Sequence, residues 1–186
     1  NRDVIGEKAI EKYLHGSRKD FYSPWLLKDM EKAVAILQEK IEYRNRIRII
    51  GDYDIDGVMS TYILLESLRG LGCDVDMMIP NRITDGYGIN EHLIEQAWQE
   101  GRDTIITCDN GIAAVTQIRK AKDLGMTVIV TDHHEVPFED LEGERKEILP
   151  PADAIVNPKQ KACSYPFAGL CGAVVAMKVM EALYEK

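Results

Sequence analysis

Short β-branched segments alternate with helical segments along most of the chain, and this alternation constrains the fold more than any other feature. Strand-like runs are expected at 46–52, 73–80, 103–109, 126–132 and 152–158. The segments 57–72, 89–101 and 111–125 have apolar residues at helical spacing, and a further helix is expected from about 169 to 186. Strands separated by such helices form βαβ units and pair in parallel, covered by helices on both faces. The sequence therefore predicts an α/β fold with a mostly parallel sheet.

Two regions differ from this alternation. Helical patterns at 5–16 and from Trp25 to about Tyr43 come before the first strand, so we expect a helical N-terminal extension, 1–45, followed by the α/β domain, 46–186. The segment 134–152 is the one long irregular stretch, and it is expected to be a surface loop.

The charge is unevenly distributed. The formal net charge is −8, but residues 1–48 hold 11 basic and 8 acidic side chains, whereas the remaining 12 basic and 23 acidic side chains lie in 49–186. Taken alone, this acidic excess disfavours a nucleic-acid partner. Acidic side chains can also be gathered to hold cations, so their positions are more informative than the net charge.

No run reaches the roughly 18 uncharged apolar residues of a membrane span. Four cysteines without CxxC spacing indicate buried, reduced thiols in a cytoplasmic protein.

Acidic residues follow three of the expected strands. Asp52, Asp54 and Asp56 come after the first strand, Asp109 after the third, and Asp132, His133 and His134 after the fourth. An aspartate after a strand is, by itself, usually a helix cap. However, the carboxyl ends of strands in an open α/β sheet share one edge, so these groups are expected to converge although they span about 80 residues.

Such a cluster predicts a divalent-metal centre. Closely spaced carboxylates repel one another unless they take up protons or hold a cation. Carboxylate oxygens beside imidazole nitrogens suit Mn²⁺, while Mg²⁺ favours all-oxygen shells. With this many ligands we expect two ions about 3.5–4 Å apart, which activate water and bind a phosphoryl group.

Several ordered motifs resemble those of the DHH phosphoesterases. The triplet that names the family stands at 132–134, GDYDIDGVMSTYIL at 51–64 resembles the first motif, and TCDNGI at 107–112 resembles the second. PNRITDGYGIN at 80–90 and the stretch 151–178 are similar to the RecJ branch, the single-stranded-DNA exonucleases. Other branches more often have a histidine-led first motif, whereas this chain has Gly51-Asp52-Tyr53-Asp54.

The resemblance implies roles for individual residues. Asp52, Asp54, Asp109 and His133 correspond to ligands of two Mn²⁺ ions, or Mg²⁺ in some members, with Asp109 bridging both. His134 would face the scissile phosphate, and Asp132 would orient the histidine pair. Asp56 belongs to the same motif and would act in catalysis, either by ligating a metal or by shaping its turn. Arg82 would contact a phosphate, the alternative being a surface salt bridge.

The function implied is metal-dependent phosphodiester hydrolysis, 5′→3′ on single-stranded DNA, in DNA repair and recombination. Two alternatives remain open: cleavage of short oligonucleotides or cyclic dinucleotides, and a non-catalytic scaffold that has lost its metal ligands. The resemblance also implies a fourth-motif aspartate and a second lobe, called DHHA1, for which we find no equivalent before Lys186. A catalytic-lobe fragment with impaired activity by itself is therefore expected, and its oligomeric state is left open.

Overall fold

A five-stranded parallel sheet forms the centre of the molecule in the computed structural model, which describes residues 4–83, 86, 88–141 and 144–186. The strands are β1 (Arg46–Ile50), β2 (Asp74–Met78), β3 (Thr104–Cys108), β4 (Thr127–Thr131) and β7 (Ala154–Val156). They lie in the order β2-β1-β3-β4-β7, and every neighbouring pair is parallel. The predicted α/β class is confirmed.

Helices cover both faces of this sheet. The covering helices are α2 (Met30–Glu42), α3 (Ile55–Gly70), α4 (Glu91–Gln99), α5 (Val115–Asp123) and α6 (Gly172–Tyr184), and α1 (Glu7–His15) precedes them in the chain. One apolar core joins α2, α3 and α6 to one face, and a second core joins α4 and α5 to the other. Because alternate residues of a strand point to opposite faces, Ile49 enters the first core and Ile50 the second. Continuous burial along β3 follows from this double covering.

Charged side chains join the middle of β1 to the middle of β2. Arg48 is only 3% exposed, and its guanidinium donates to both carboxylate oxygens of Asp76 at 2.8 and 2.6 Å. Glu100 and Arg102 complete the cluster. A buried guanidinium needs such partners because an uncompensated charge away from water is costly. The Arg48–Asp76 pair lies within the strands and not at the carboxyl ends, where the site is predicted.

Three local predictions were wrong. The segment 134–152 contains an antiparallel hairpin of β5 (Phe138–Leu141) and β6 (Glu144–Glu147), whose exposed residues gave no alternating pattern. The second N-terminal helix begins at Met30, not Trp25, because a 3₁₀ turn at Pro24–Leu26 is followed by Asp29 in a left-handed conformation (φ 61°). Helix α5 begins at Val115 rather than Gly111, since residues 111–114 form a turn.

The N-terminal region packs unevenly against the domain. Helix α2 buries Met30, Ala33, Val34 and Leu37 in the first core, whereas α1 buries no residue. The division at residue 45 remains a prediction. No helix within the described ranges is long and apolar enough to span a bilayer. All four cysteines are free, but only Cys108 is buried and Cys171 is exposed, so the prediction of buried thiols was too broad.

Candidate metal centre

The carboxyl ends of β1 and β3 meet where the order of the strands reverses. From β1 the chain crosses to β2 on one side, while β3, β4 and β7 follow on the other. Connections therefore leave β1 and β3 in opposite directions, and the crevice between their carboxyl ends is where ligands bind in open α/β sheets. Asp52 and Asp109 are the acidic residues that follow these two strands.

Asp52 is buried at the base of this crevice, with 1% of its surface exposed. Backbone N–H groups of Tyr53, Gly88 and Asp54 bind the carboxylate, yet burial is the larger effect and raises its pKa. Its Oδ1 atom is buried without a hydrogen-bond partner among the described residues. A buried carboxylate oxygen with no donor is unfavourable unless a cation or water compensates it.

Asp54 lies at the start of α3 and is exposed. Its Oδ1 accepts the Gly57 N–H at 2.9 Å, so the residue is the N-cap of the helix as well as a member of the acidic cluster. A Cβ atom at Gly57 would lie 2.5 Å from the Asp52 carbonyl oxygen. Glycine is therefore required for the helix to begin this close to the site.

Asp109 is at the centre of the site. Only 2% of its surface is exposed, and its backbone is left-handed (φ 61°), which is uncommon for a residue with a side chain. Burial, together with the charges of Asp56 and Asp54, raises the pKa of its carboxyl from 3.8 to about 7. In the absence of a cation, Asp109 is therefore partly protonated near neutral pH.

Asp132 follows β4 and orients the second histidine. Its Oδ1 accepts the backbone N–H groups of His133 and His134 and lies 2.7 Å from His134 Nδ1, while Oδ2 accepts the Ile112 N–H. Burial opposes its ionisation, but the hydrogen bonds from His134 and Ile112 outweigh this and lower its pKa. The ionised carboxylate is an acceptor, so His134 donates its Nδ1–H. This contact raises the pKa of His134.

His133 links the β4 end to the other acids. Its Nε2 is 2.9 Å from Asp109 Oδ1 and 3.5 Å from Asp56 Oδ2. The two histidine rings are 4.6 Å apart between centroids. The structure thus brings the three predicted strand ends together in one cluster.

Asp56 has contacts that the sequence did not predict. Its two oxygens accept the N–H groups of Gly172 and Ala173, at 2.7 and 2.8 Å, at the first turn of α6. The residue before this helix, Cys171, gives no side-chain cap, so Asp56 caps α6 from a distant part of the chain. A Cβ at Gly172 would lie 2.6 Å from Asp109 Oδ1. The only local signal was the pair of glycines in 169–172.

Asn110 is a second residue that sequence reasoning missed. It is buried, and its amide donates to the carbonyl oxygens of Ile50 and Cys108 while its Oδ1 accepts the Ile89 N–H. These contacts join the ends of β1 and β3. Its place directly after Asp109 was the available signal.

Arg82 lies beside the cluster on an exposed turn. Its guanidinium carbon is 5.3 Å from the centre of the Tyr53 ring, a cation–π distance. It forms no ion pair with any residue that the structure describes. Residues 84, 85 and 87 of the motif at 80–90 lie outside the part of the chain that the structure describes.

The donor atoms fit divalent metal ions. Asp52, Asp54 and Asp109 each offer an oxygen within 4.8 Å of the others, and Asp109, His133 and His134 form a second such group. Asp109 belongs to both groups. A bound cation would provide a partner for the buried Oδ1 of Asp52. It would also stabilise the ionised form of Asp109 and so lower its raised pKa. A mixed oxygen and nitrogen set is suited to Mn²⁺.

Comparisons with known proteins agree with this geometry. The chain is 44% identical over 171 residues to the single-stranded-DNA-specific exonuclease RecJ of Bacillus subtilis and 41% identical over 185 residues to that of Escherichia coli. The matches cover 92% and 98% of this chain but only 21% and 30% of those proteins. A crystal structure of exonuclease RecJ bound to manganese has a TM-score of 0.70 and 34% identity, covering 86% of this chain and 38% of that one.

A family model assigns the larger part of the chain. The model described as the DHH family, N-terminal domain, matches residues 46–186, which include every strand of the sheet and all the acidic and histidine residues of the cluster. The resemblance inferred from the motifs is thereby confirmed: the chain belongs to the DHH family.

Proposed function

We propose that this domain is the metal-binding part of a RecJ-like exonuclease that hydrolyses phosphodiester bonds of single-stranded DNA in the 5′→3′ direction. The observation that carries the proposal is the position of Asp109. It is buried at the switch point of the sheet and shared by two groups of metal-binding side chains. The RecJ relatives supply the substrate and the reaction. DNA repair and recombination in the cytoplasm are the corresponding processes.

The first part of the mechanism is metal binding. Asp52, Asp54, Asp109 and His133 would hold two Mn²⁺ ions, with Mg²⁺ as the alternative. Bound ions would supply Lewis-acid chemistry, which acidifies water and neutralises phosphate oxygens. The fold buries Asp52 and Asp109 away from solvent. Because a buried carboxylate without a compensating charge is costly, binding of a cation by these residues is strongly favoured.

The second part of the mechanism is binding of the scissile phosphate. Asp132 holds the imidazole of His134 through Nδ1 and raises its pKa, which favours the positively charged ring. Nε2 of that ring can donate to an oxygen of the scissile phosphate as its negative charge grows. Asp56 acts as a positioning residue, because it holds the start of α6 against Asp109. Arg82 is the proposed contact to a further phosphate, exposed beside the crevice.

The net charge of −8 no longer argues against a nucleic-acid substrate. Part of the acidity lies in the cluster, where bound cations would reverse the sign that a phosphate meets. The chain spans less than a third of the two relatives' length, so the activity of a whole RecJ-like protein includes surfaces beyond this domain. The intact cluster argues against a scaffold that has lost its ligands.

The test measures metal binding and cleavage with the same protein. Calorimetry with Mn²⁺ and single-turnover digestion of 5′- and 3′-labelled single-stranded DNA would be compared with digestion of dinucleotides. We expect Mn²⁺-dependent, slow cleavage of the polymer from its 5′ end, abolished by Asp109→Ala together with at least about a hundredfold loss of Mn²⁺ affinity.

A matched control is Asp123→Ala, an exposed aspartate at the end of α5 outside the cluster. It should retain both properties. Mn²⁺ binding that survives Asp109→Ala, or digestion confined to dinucleotides, would contradict the proposal.

A further inference from the structure

The side chain of Asn110 joins β1 and β3 at the point where their backbones separate. The ladder between the two strands ends at Ile50 and Thr107. Beyond it, the Gly51 N–H donates to the end of β2, whereas the Asp109 N–H donates to the end of β4. The two chains therefore turn away from each other at the base of the crevice, between the residues that follow β1 and those that follow β3.

Both donors of the Asn110 amide are used at this point. They bind the carbonyl oxygen of Ile50, the last residue of β1, at 3.1 Å and that of Cys108, the last residue of β3, at 2.9 Å. Asn110 is only 2% exposed. Because a buried carbonyl group without a donor is costly, this amide stabilises the approach of the two strand ends.

The acceptor of Asn110 holds a third part of the chain. Its Oδ1 accepts the Ile89 N–H at 3.2 Å. The preceding residue, Gly88, has a left-handed backbone (φ 65°), and a Cβ atom there would lie 3.1 Å from the Cβ of Asn110. The Gly88 N–H in turn donates to the carboxylate of Asp52. Asn110 therefore anchors the segment that supplies a hydrogen bond to Asp52.

Asn45 has the matching place at the amino ends of the same two strands. Its amide donates to Asp103 Oδ2 at 2.9 Å, and these two residues directly precede β1 and β3. Asp52 and Asp109 follow the carboxyl ends of the strands. If joining the strands were the whole role of Asn110, replacing either asparagine would have the same effect on the site.

From these contacts we infer that Asn110 is a positioning residue of the metal centre, which sets Asp52 against Asp109 and acts through them. The inference rests on the proposed function for its meaning in catalysis. The arrangement that it describes can nevertheless be measured without metal and without cleavage.

The first test is amide hydrogen exchange of the whole chain in EDTA, followed by NMR. The Gly88 N–H is the probe, because it donates to Asp52 and not to Asn110. We expect Asn110→Ala to increase its exchange rate at least about tenfold, since the segment loses its anchor. Asn45→Ala should leave this rate within about twofold of the unchanged chain. The Asp103 N–H should stay within about twofold in Asn110→Ala, because the opening is local to the carboxyl ends.

The second test is Mn²⁺ binding by calorimetry. Asn110→Ala should lower the affinity about tenfold to a hundredfold, as is typical when a residue that orients a ligand is removed. Asn45→Ala should change it by less than about twofold, although it also removes a bridge between the strands. Asn110→Ser keeps a hydroxyl group that can serve one of the two carbonyls, so its loss of affinity should lie between those of the unchanged chain and Asn110→Ala. This variant also provides the measurement if Asn110→Ala does not fold.

The outcomes separate this inference from the proposed function. Exchange of Gly88 at the unchanged rate in the Asn110 variants, or equal losses of Mn²⁺ affinity in the Asn110 and Asn45 variants, would overturn the positioning role. If the unchanged chain binds no Mn²⁺, the proposed function fails, and the exchange of Gly88 in EDTA alone decides whether Asn110 positions Asp52.

Discussion

Replacing Asp109 by asparagine should make the metal-free protein more stable while removing its metal site. The carboxyl group has its pKa raised from 3.8 to about 7 by burial and by the charges of Asp56 and Asp54. In the folded state the charged form is therefore disfavoured relative to the unfolded chain, by about 4 kcal/mol above pH 7. Asparagine has nearly the same shape and carries no charge, so it avoids this cost.

The pH dependence follows from the same shift. Below pH 3.8 the carboxyl is protonated in both states and costs nothing. As the pH rises to about 7, the unfolded chain ionises first, and the cost increases. The advantage of Asp109→Asn should be about 1 kcal/mol at pH 4.5 and about 4 kcal/mol at pH 8, reduced by any weakening of the contact with His133.

The assay is urea unfolding of both proteins in EDTA at several pH values. Asp132→Asn is the matched comparison, because Asp132 is equally buried but its hydrogen bonds lower its pKa. Its ionised form stabilises the fold above the usual pKa of an aspartate, and this stability is lost as the pH falls through the lowered value. Asp132→Asn should therefore destabilise the protein at pH 8.

In saturating Mn²⁺, the unchanged chain should be more stable to unfolding than the Asp109→Asn variant. A ligand at more than a thousand times its dissociation constant stabilises the folded state by more than about 4.1 kcal/mol, which exceeds the gain of about 4 kcal/mol from Asp109→Asn at pH 8. If Asp109→Asn gives no gain at pH 8 in EDTA, or a gain that is the same at pH 4.5, the reasoning about buried charge is refuted.

Three further predictions concern packing around the site and the ion pair between β1 and β2. Gly172→Ala should lower Mn²⁺ affinity at least about tenfold in calorimetry, because its Cβ would lie 2.6 Å from Asp109 Oδ1; unchanged affinity would contradict the close packing. Asp56→Ala should lower the free energy of unfolding by about 1–2 kcal/mol, and Asp56→Asn by less since one acceptor remains, whereas equal losses would argue against the cap. Asp76→Ala should cost about 2–3 kcal/mol in urea unfolding, because Arg48 would lose its paired contacts; a neutral result would show that Glu100 suffices.

Local patterns were enough to predict most elements of the fold and the members of the cluster. The run at 46–50 is β-branched and ends in acids, and this combination identifies a strand and its functional end without knowledge of its neighbours. The hairpin at 138–147 was missed because its strands are exposed and highly charged, so no buried face imposes a pattern. Asp29 could not be anticipated either, since its left-handed backbone has no sequence marker.

The chemical groups of the site can be identified from local sequence, because each group follows its own strand and strands depend on nearby residues. How these groups meet depends on long-range packing. The reversal of strand order between β1 and β3 is a property of long-range pairing, and it places Asp52 opposite Asp109. The contact between Asp56 and Gly172 joins residues 116 positions apart, and no local periodicity encodes it. Burial of Asp109, which raises its pKa and prepares it for a cation, likewise depends on elements from the whole chain packing around one edge of the sheet.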